Sequence, residues 1–182
     1  MTRASSMNSD RTDLQELFDR IDRLESVQAI TRLHNDYVRD LAARNWSGVA
    51  AAYTEDAECD IRNHGIHRGR DAINAMFDEE LLPIVRSNDG YILSSPNITV
   101  AGDTARGTWT WHRFQADFRT PLGVMRVWGP WSEGRYETEY QRVGGEWKIS
   151  KLWFRVHAPD SDEQIAASAA HHEVLGGGYG RS

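Results

Sequence analysis

Cysteine is all but missing from this chain. Cys59 stands alone, which excludes an intrachain disulfide and fits a reducing, cytoplasmic setting. Long apolar runs are missing as well. None approaches bilayer-spanning length, and the N-terminus has no apolar signal core. Lys and Arg number 21 against 27 Asp and Glu, a net charge of −6, and no segment concentrates the basic residues. Neither nucleic acid nor membrane is therefore an expected partner. Phosphate loop, dinucleotide fingerprint and nucleophile elbow are absent too. His171-His172 has nothing to supply a third ligand, so no metal and no organic cofactor is expected.

What the chain does have is aromatic residues, gathered in one place. Six of the seven tryptophans lie within 97–157: Trp109, Trp111, Trp128, Trp131, Trp147 and Trp153. This stretch alternates in type and breaks at Ala101-Gly102-Asp103, at Thr120-Pro121-Leu122-Gly123 and at Gly144-Gly145. Gly-Gly between alternating runs marks a hairpin whose central residues need positive φ. The reading is a long antiparallel meander. Strands of this length curl, and one curled face must be covered. At 182 residues the chain reads as one domain with a substantial core.

The cover comes from upstream. Residues 1–9 are Ser/Asn-rich and read as disordered. Residues 10–44 are helical in pattern: Leu14, Leu17, Phe18, Ile21 and Leu24 form a stripe that Val27, Ile30, Leu33, Tyr37 and Leu41 continue. Ser26 can cap a second helix, which would break the run near Glu25-Ser26. The early part would pack on a neighbouring subunit or on its own domain. A short helix over 46–53, a strand over 56–61 and a loop over 63–69 follow. Next come a helix over 70–85, interrupted by Pro83, and a strand beginning at 90–94. A terminal helix and a floppy tail fill 159–182. Helices, strand, helix and meander give an α+β class with helices on one sheet face.

Four pieces together resemble the SnoaL-like branch of the NTF2-like superfamily. They are Tyr37 with "RNWSGVAAAYTEDAE", then "GIHRGRDAI", "PNITVAGDTARG" and "GRYETEYQRVGGEWKISKL". The resemblance covers 29–157. It implies a cone, in which a strongly curved mixed sheet wraps a pocket closed by helices. The boundaries that follow are an N-terminal extension over 1–28, the domain over 29–158 and a tail over 159–182. The superfamily holds dehydratases, isomerases and cyclases beside transport and assembly domains, so the site must decide function.

Dehydratase-like members pair an aspartate, five residues after the helical tyrosine, with a histidine that removes a proton beside a carbonyl. Here Tyr37 matches the tyrosine, but Ala42 stands at the aspartate position and Tyr91 at the histidine position. The dyad is missing. A second histidine of scytalone dehydratase aligns with Trp109, and a polar strand residue aligns with Tyr136. Period-two alternation then puts Gly107, Trp109, Trp111 and Arg113 on the pocket face. Thr108, Thr110, His112 and Phe114 fall on the opposite face, which in such folds often meets another subunit. His112 is therefore expected to point outward, and Asp40, beside Arg39, into solvent.

The expected lining is Tyr37, Tyr91, Trp109, Trp111 and Tyr136, joined by Trp128 and Trp153. His64 and His67 sit in the loop before Gly69-Arg70, at the expected pocket mouth, and Arg155 and His157 lie beyond a bulge expected near Ser150-Lys151. Such rings either fill the cone as core or grip a flat, apolar, oxygenated ligand, polycyclic or polyketide-like. Two functions remain open. One is a cofactor-free lyase, isomerase or cyclase with Tyr37 and Tyr91 as neutral donors and His64 or His157 as base, Arg155 helping to hold the ligand. The other is a non-catalytic binding or assembly domain. A homodimer or higher homo-oligomer is expected in either case.

Overall fold

The computed structural model describes the backbone of residues 2–62, 65–81, 91–120 and 123–156, and the side chains of 11–62, 65–79, 91–113 and 133–156. A long helix, α1 (Thr2–Ala43), leads through the short α2 (Trp46–Ala51) into β1 (Tyr53–Ile61). The two-residue β2 (His67–Arg68) and α3 (Arg70–Met76) follow, and a π-type turn over Phe77–Leu81 continues α3. Four strands complete the sheet: β3 (Tyr91–Ala101), β4 (Thr104–Thr120), β5 (Gly123–Val143) and β6 (Glu146–Val156).

The six strands lie in the order β2-β1-β6-β5-β4-β3. All neighbours are antiparallel except β1 and β6, so the sheet is mixed, open and curved. The three hairpin breaks read from the sequence separate the four strands of the meander, the middle one falling between the paired Thr120 and Gly123. Gly144 and Gly145 have φ of 60° and 87°, which a side chain would resist. Register slips by one residue at Ser150, where Tyr140 faces Ile149 and Glu139 faces Lys151. The bulge thus lies where the sequence places it, and it sets which way the end of β6 faces. Pro96 is tolerated because β3 is an edge strand.

Helix α1 crosses one face of this sheet. Ile30, His34, Tyr37, Val38 and Leu41, spaced at three and four residues, are its buried side, and Ile73, Met76 and Phe77 extend the roof. Two expectations are corrected at its N-terminal end. Residues 2–9 belong to the helix rather than to disordered chain, as propagation from a formed helix costs little. No break occurs at Glu25-Ser26. Ser26 is buried and its Oγ accepts from Arg142 Nη2 at 2.6 Å, so it serves as an anchor and not as a cap. Arg142 also reaches both oxygens of Asp22 at 3.1 Å and lies over the Trp147 ring. Upstream of this clasp and between its two grips the apolar stripe is exposed: Leu14, Leu17, Phe18, Ile21 and Leu24 all face outward.

Other bounds shift by a few residues. β1 begins at Tyr53, not 56, because Tyr53 and Ala57 are buried sheet residues. The loop over 63–69 contributes β2, which pairs with β1 through Glu58↔Arg68 and Cys59↔His67. Pro83 and the tail over 159–182 lie outside the described residues. Among the described residues no helix is long and apolar enough to cross a membrane.

Candidate functional site: an aromatic bowl under helix α1

Alternation along β4 and β5 builds the bowl. Ala105, Gly107, Trp109 and Trp111 face inward on β4, opposite Tyr140, Thr138, Tyr136 and Gly134 on β5. β6 adds Leu152 and Phe154, and β1 adds Tyr53 and Cys59. Two positions are glycine for close packing. A Cβ on Gly134 would sit 2.6 Å from the Phe154 ring, and one on Gly107 3.1 Å from Tyr140. The rings interlock: Tyr136 stacks on Phe154 at 4.4 Å, Trp111 meets Phe154 edge-on at 5.3 Å, and Tyr91 tilts against Trp111 at 5.1 Å.

The expected lining divides accordingly. Tyr37, Trp109, Trp111 and Tyr136 are gathered in the bowl, fully or almost fully buried, and half-buried Tyr91 packs at its rim. Trp153 and Arg155 face the other way, a correction to the expectation that they line the pocket. Beyond the Ser150 bulge the inward positions of β6 are Leu152 and Phe154, so the residues between them fall outside. There Arg155 Nη2 binds Asp60 Oδ2 at 2.6 Å, and Trp153 lines a shallow groove with Arg135, Glu137 and Arg155. His112 is outward as expected, with Ser94 Oγ 3.3 Å from its Nε2. Asp40 joins the turn into α2, accepting from Asn45 Nδ2 at 3.1 Å. His64, His157 and the Trp128 side chain lie outside the described residues.

Two residues that the sequence reading passed over sit at the centre. His34 is fully buried and stacks on Trp109 at 4.7 Å with an 11° tilt, edge-on to Tyr136 at 4.9 Å. Its Nδ1 lies 2.8 Å from Tyr140 Oη, which receives Trp109 Nε1–H at 2.9 Å. The signal was available: His34 is one helical turn before Tyr37, and Tyr140 is four strand residues after Tyr136. A second chain of hydroxyls runs beside the first. Tyr53 Oη donates to Tyr37 Oη at 3.3 Å and lies 3.4 Å from Cys59 Sγ. With the Tyr53 hydrogen committed to Tyr37, the thiol donates to Tyr53, and Tyr37's own hydrogen is left for a further acceptor.

Burial governs the ionisation of this set. It pushes the His34 imidazole down to about 3 and the Cys59 thiol up to about 12. The phenols of Tyr37, Tyr53, Tyr136 and Tyr140 are all raised, chiefly by desolvation. At neutral pH these groups are uncharged. Nε2 of His34 and Nε1 of Trp111 are buried without a hydrogen-bond partner among the described residues. Among the described residues, then, the bowl offers neutral donors rather than an ionised acid–base couple.

A curved mixed sheet with helices over one face is the architecture of NTF2-like proteins with a cystatin-like fold. Within that class the chain belongs to the SnoaL-like domain family, whose model matches residues 22–152. It is 26% identical over 140 residues to hexachlorocyclohexane dehydrochlorinase 1 of Sphingobium indicum, a match spanning 72% of this chain and 82% of that one. Among solved structures it resembles the hexachlorocyclohexane dehydrochlorinase LinA-type3 of Novosphingobium barchaimii, with a TM-score of 0.61 and 22% identity over 76% of this chain and 90% of that one. An NTF2-like protein from Novosphingobium aromaticivorans gives a TM-score of 0.63 at 20% identity, covering 84% and 95% of the two chains.

Proposed function

We propose that this chain is a cofactor-free enzyme of the lyase, isomerase or cyclase kind. Its substrate would be a small, flat ketone or alcohol, polycyclic or polyketide-like, bound inside the bowl. The observation that carries the reading is the buried donor set, Tyr37 and its neighbours, in a lining that is otherwise aromatic. Buried donors without partners are costly unless a ligand engages them. Aimed at a carbonyl or a leaving oxygen, they stabilise charge as it develops. A relative named for dehydrochlorination of a small apolar ring supports elimination chemistry in this family.

In this reading Tyr37 and Tyr91 donate hydrogen bonds, and His64 or His157 takes the proton. Phenols held neutral by burial are unsuited to act as bases near pH 7. Trp109, Trp111, Tyr136 and Trp128 hold the ligand by stacking. We further propose a homodimer paired through the outer sheet face that carries Thr108, Thr110 and His112.

Ala42 and Tyr91 in place of the acid–histidine pair favour a second reading, a ligand-binding or assembly domain without catalysis. Kinetics separate the two. A panel of cyclic ketones and alcohols is screened for turnover, and Tyr37→Phe and Tyr91→Phe are assayed on whatever reacts. Each variant is expected to melt near the parent temperature and to lose roughly ten- to a thousandfold in rate, the range for one transition-state donor. Parent-like rates in both variants, or no turnover across the panel, would leave the binding reading standing.

A further inference from the structure

We propose that His34 is a ligand-binding residue, locked as the Nε2–H tautomer, that presents its N–H to a carbonyl oxygen of the molecule held in the bowl. The inference rests on the reading above, that a small ligand occupies this interior.

The argument begins with the indole of Trp109, which can only donate. Its Nε1–H goes to Tyr140 Oη at 2.9 Å, and Tyr140 Oη is 2.8 Å from His34 Nδ1. Having accepted from the indole, Tyr140 still has one hydrogen to place. Thr138 Oγ1, on the same face of β5, faces Tyr140 as a second donor and not as an acceptor, which leaves His34 Nδ1 as the acceptor the geometry offers. The relay therefore runs Trp109 N–H to Tyr140 O–H to His34 Nδ1. An imidazole that accepts at Nδ1 and is neutral carries its hydrogen on Nε2.

That hydrogen has no partner among the described residues, although the ring is wholly buried. Among the described residues the rings packed on the imidazole are Tyr37 from its own helix, Trp109 from β4, and Tyr136 and Tyr140 from β5. None is a carboxylate, and burial alone accounts for the depressed basicity of the ring. The imidazole is thus a fixed, uncharged donor and not a proton acceptor. The class of ligand it recognises is one with an exposed acceptor oxygen on an apolar frame. Stacking on Trp109 holds the donor's direction, so little orientational freedom is lost on binding.

The proposal can be tested with two probes that differ by one oxygen, 1-tetralone and tetralin. Binding is read by quenching of tryptophan fluorescence in the full chain. His34→Phe keeps a ring against Trp109 and removes the donor. It is expected to weaken 1-tetralone roughly three- to tenfold, the worth of one neutral hydrogen bond, and to leave tetralin unchanged. His34→Gln, whose amide can stand where Nε2 stands, should restore part of the difference. Independently, 15N correlation spectra of the imidazole should show the neutral Nε2–H form across pH 5 to 8 in the free protein. They should also show the tautomer lock loosened in Tyr140→Phe.

Equal weakening of both probes, or an Nδ1–H pattern, overturns the proposal. If neither probe binds the parent, the ligand-in-bowl reading fails and takes the ligand half of the inference with it. The tautomer half still stands or falls on the spectra, which need no ligand.

Discussion

Replacing Tyr140 by Phe removes a single oxygen from the middle of the Trp109–Tyr140–His34 relay. The ring stays, so no cavity opens and the packing term is close to zero. What is lost is electrostatic. Trp109 Nε1–H loses the acceptor it holds at 2.9 Å, and His34 Nδ1 loses the donor at 2.8 Å. Both groups are buried, so water cannot replace the hydroxyl. A buried polar group left unpaired costs roughly 1–3 kcal/mol, and two are created here, offset in part because the phenol no longer has to be desolvated. The net expectation is a loss of about 2–4 kcal/mol, or roughly 5–15 °C in Tm for a chain of this length. Urea unfolding followed by tryptophan fluorescence measures it, with the m-value expected to stay at the parent level. The double mutant with His34→Phe should lose less than the sum of the two single variants, because the second change then strands only the indole. A loss below about 1 kcal/mol, or strict additivity with His34→Phe, would refute the relay as drawn.

Three further outcomes are expected. Gly134→Ala should destabilise by roughly 1–3 kcal/mol by overpacking, since its Cβ would meet the Phe154 ring at 2.6 Å and the Arg155 carbonyl at 2.9 Å; a parent-like melt would count against that packing. Between its usual 6.5 and about 3, His34 binds a proton in the unfolded chain that the folded chain refuses. Stability should therefore fall as pH drops below 6.5 and stop falling on this account near 3, and pH-dependent urea titrations of His34→Phe should show a shallower acid limb. Cys59, its thiol pushed up to about 12 by burial, should resist a thiol reagent at pH 8 and label only at the rate of unfolding; fast labelling of the native chain would show the site to be open.

The fold was legible because its signals are local. Gly144-Gly145 demands its turn, period-two alternation sorts Trp109 and Trp111 from Thr108 and Thr110, and the bulge at Ser150 falls where the pattern stumbles. The facing of Trp153 and Arg155 was not legible. One bulged residue inverts every side chain beyond it, and its position can be read only to within a residue or so. Ser26 misled for a related reason: a serine reads as a cap unless the partner that buries it, Arg142, 116 residues away in the chain, is known. His34 was overlooked because a histidine within a run of Asn, Asp and Arg looks like part of a solvated face. The α1 spacing that buries Tyr37 buries it too, and a helical wheel centred on Tyr37 would have found it.

The clasp at Arg142 has a bearing on how this chain can change length. It grips α1 at Asp22 and Ser26, and upstream of that level the apolar stripe from Leu14 to Ile21 stands exposed. A helix advances about 1.5 Å and turns about 100° per residue. Inserting seven residues above the clasp would move the stripe outward by roughly 10 Å while rotating it only ~20°. Inserting five would swing it by roughly 140° and point it elsewhere. The N-terminal arm thus behaves as a ruler graduated in heptads. Insertions in sevens would keep its aim and reset its reach, leaving the bowl beneath untouched.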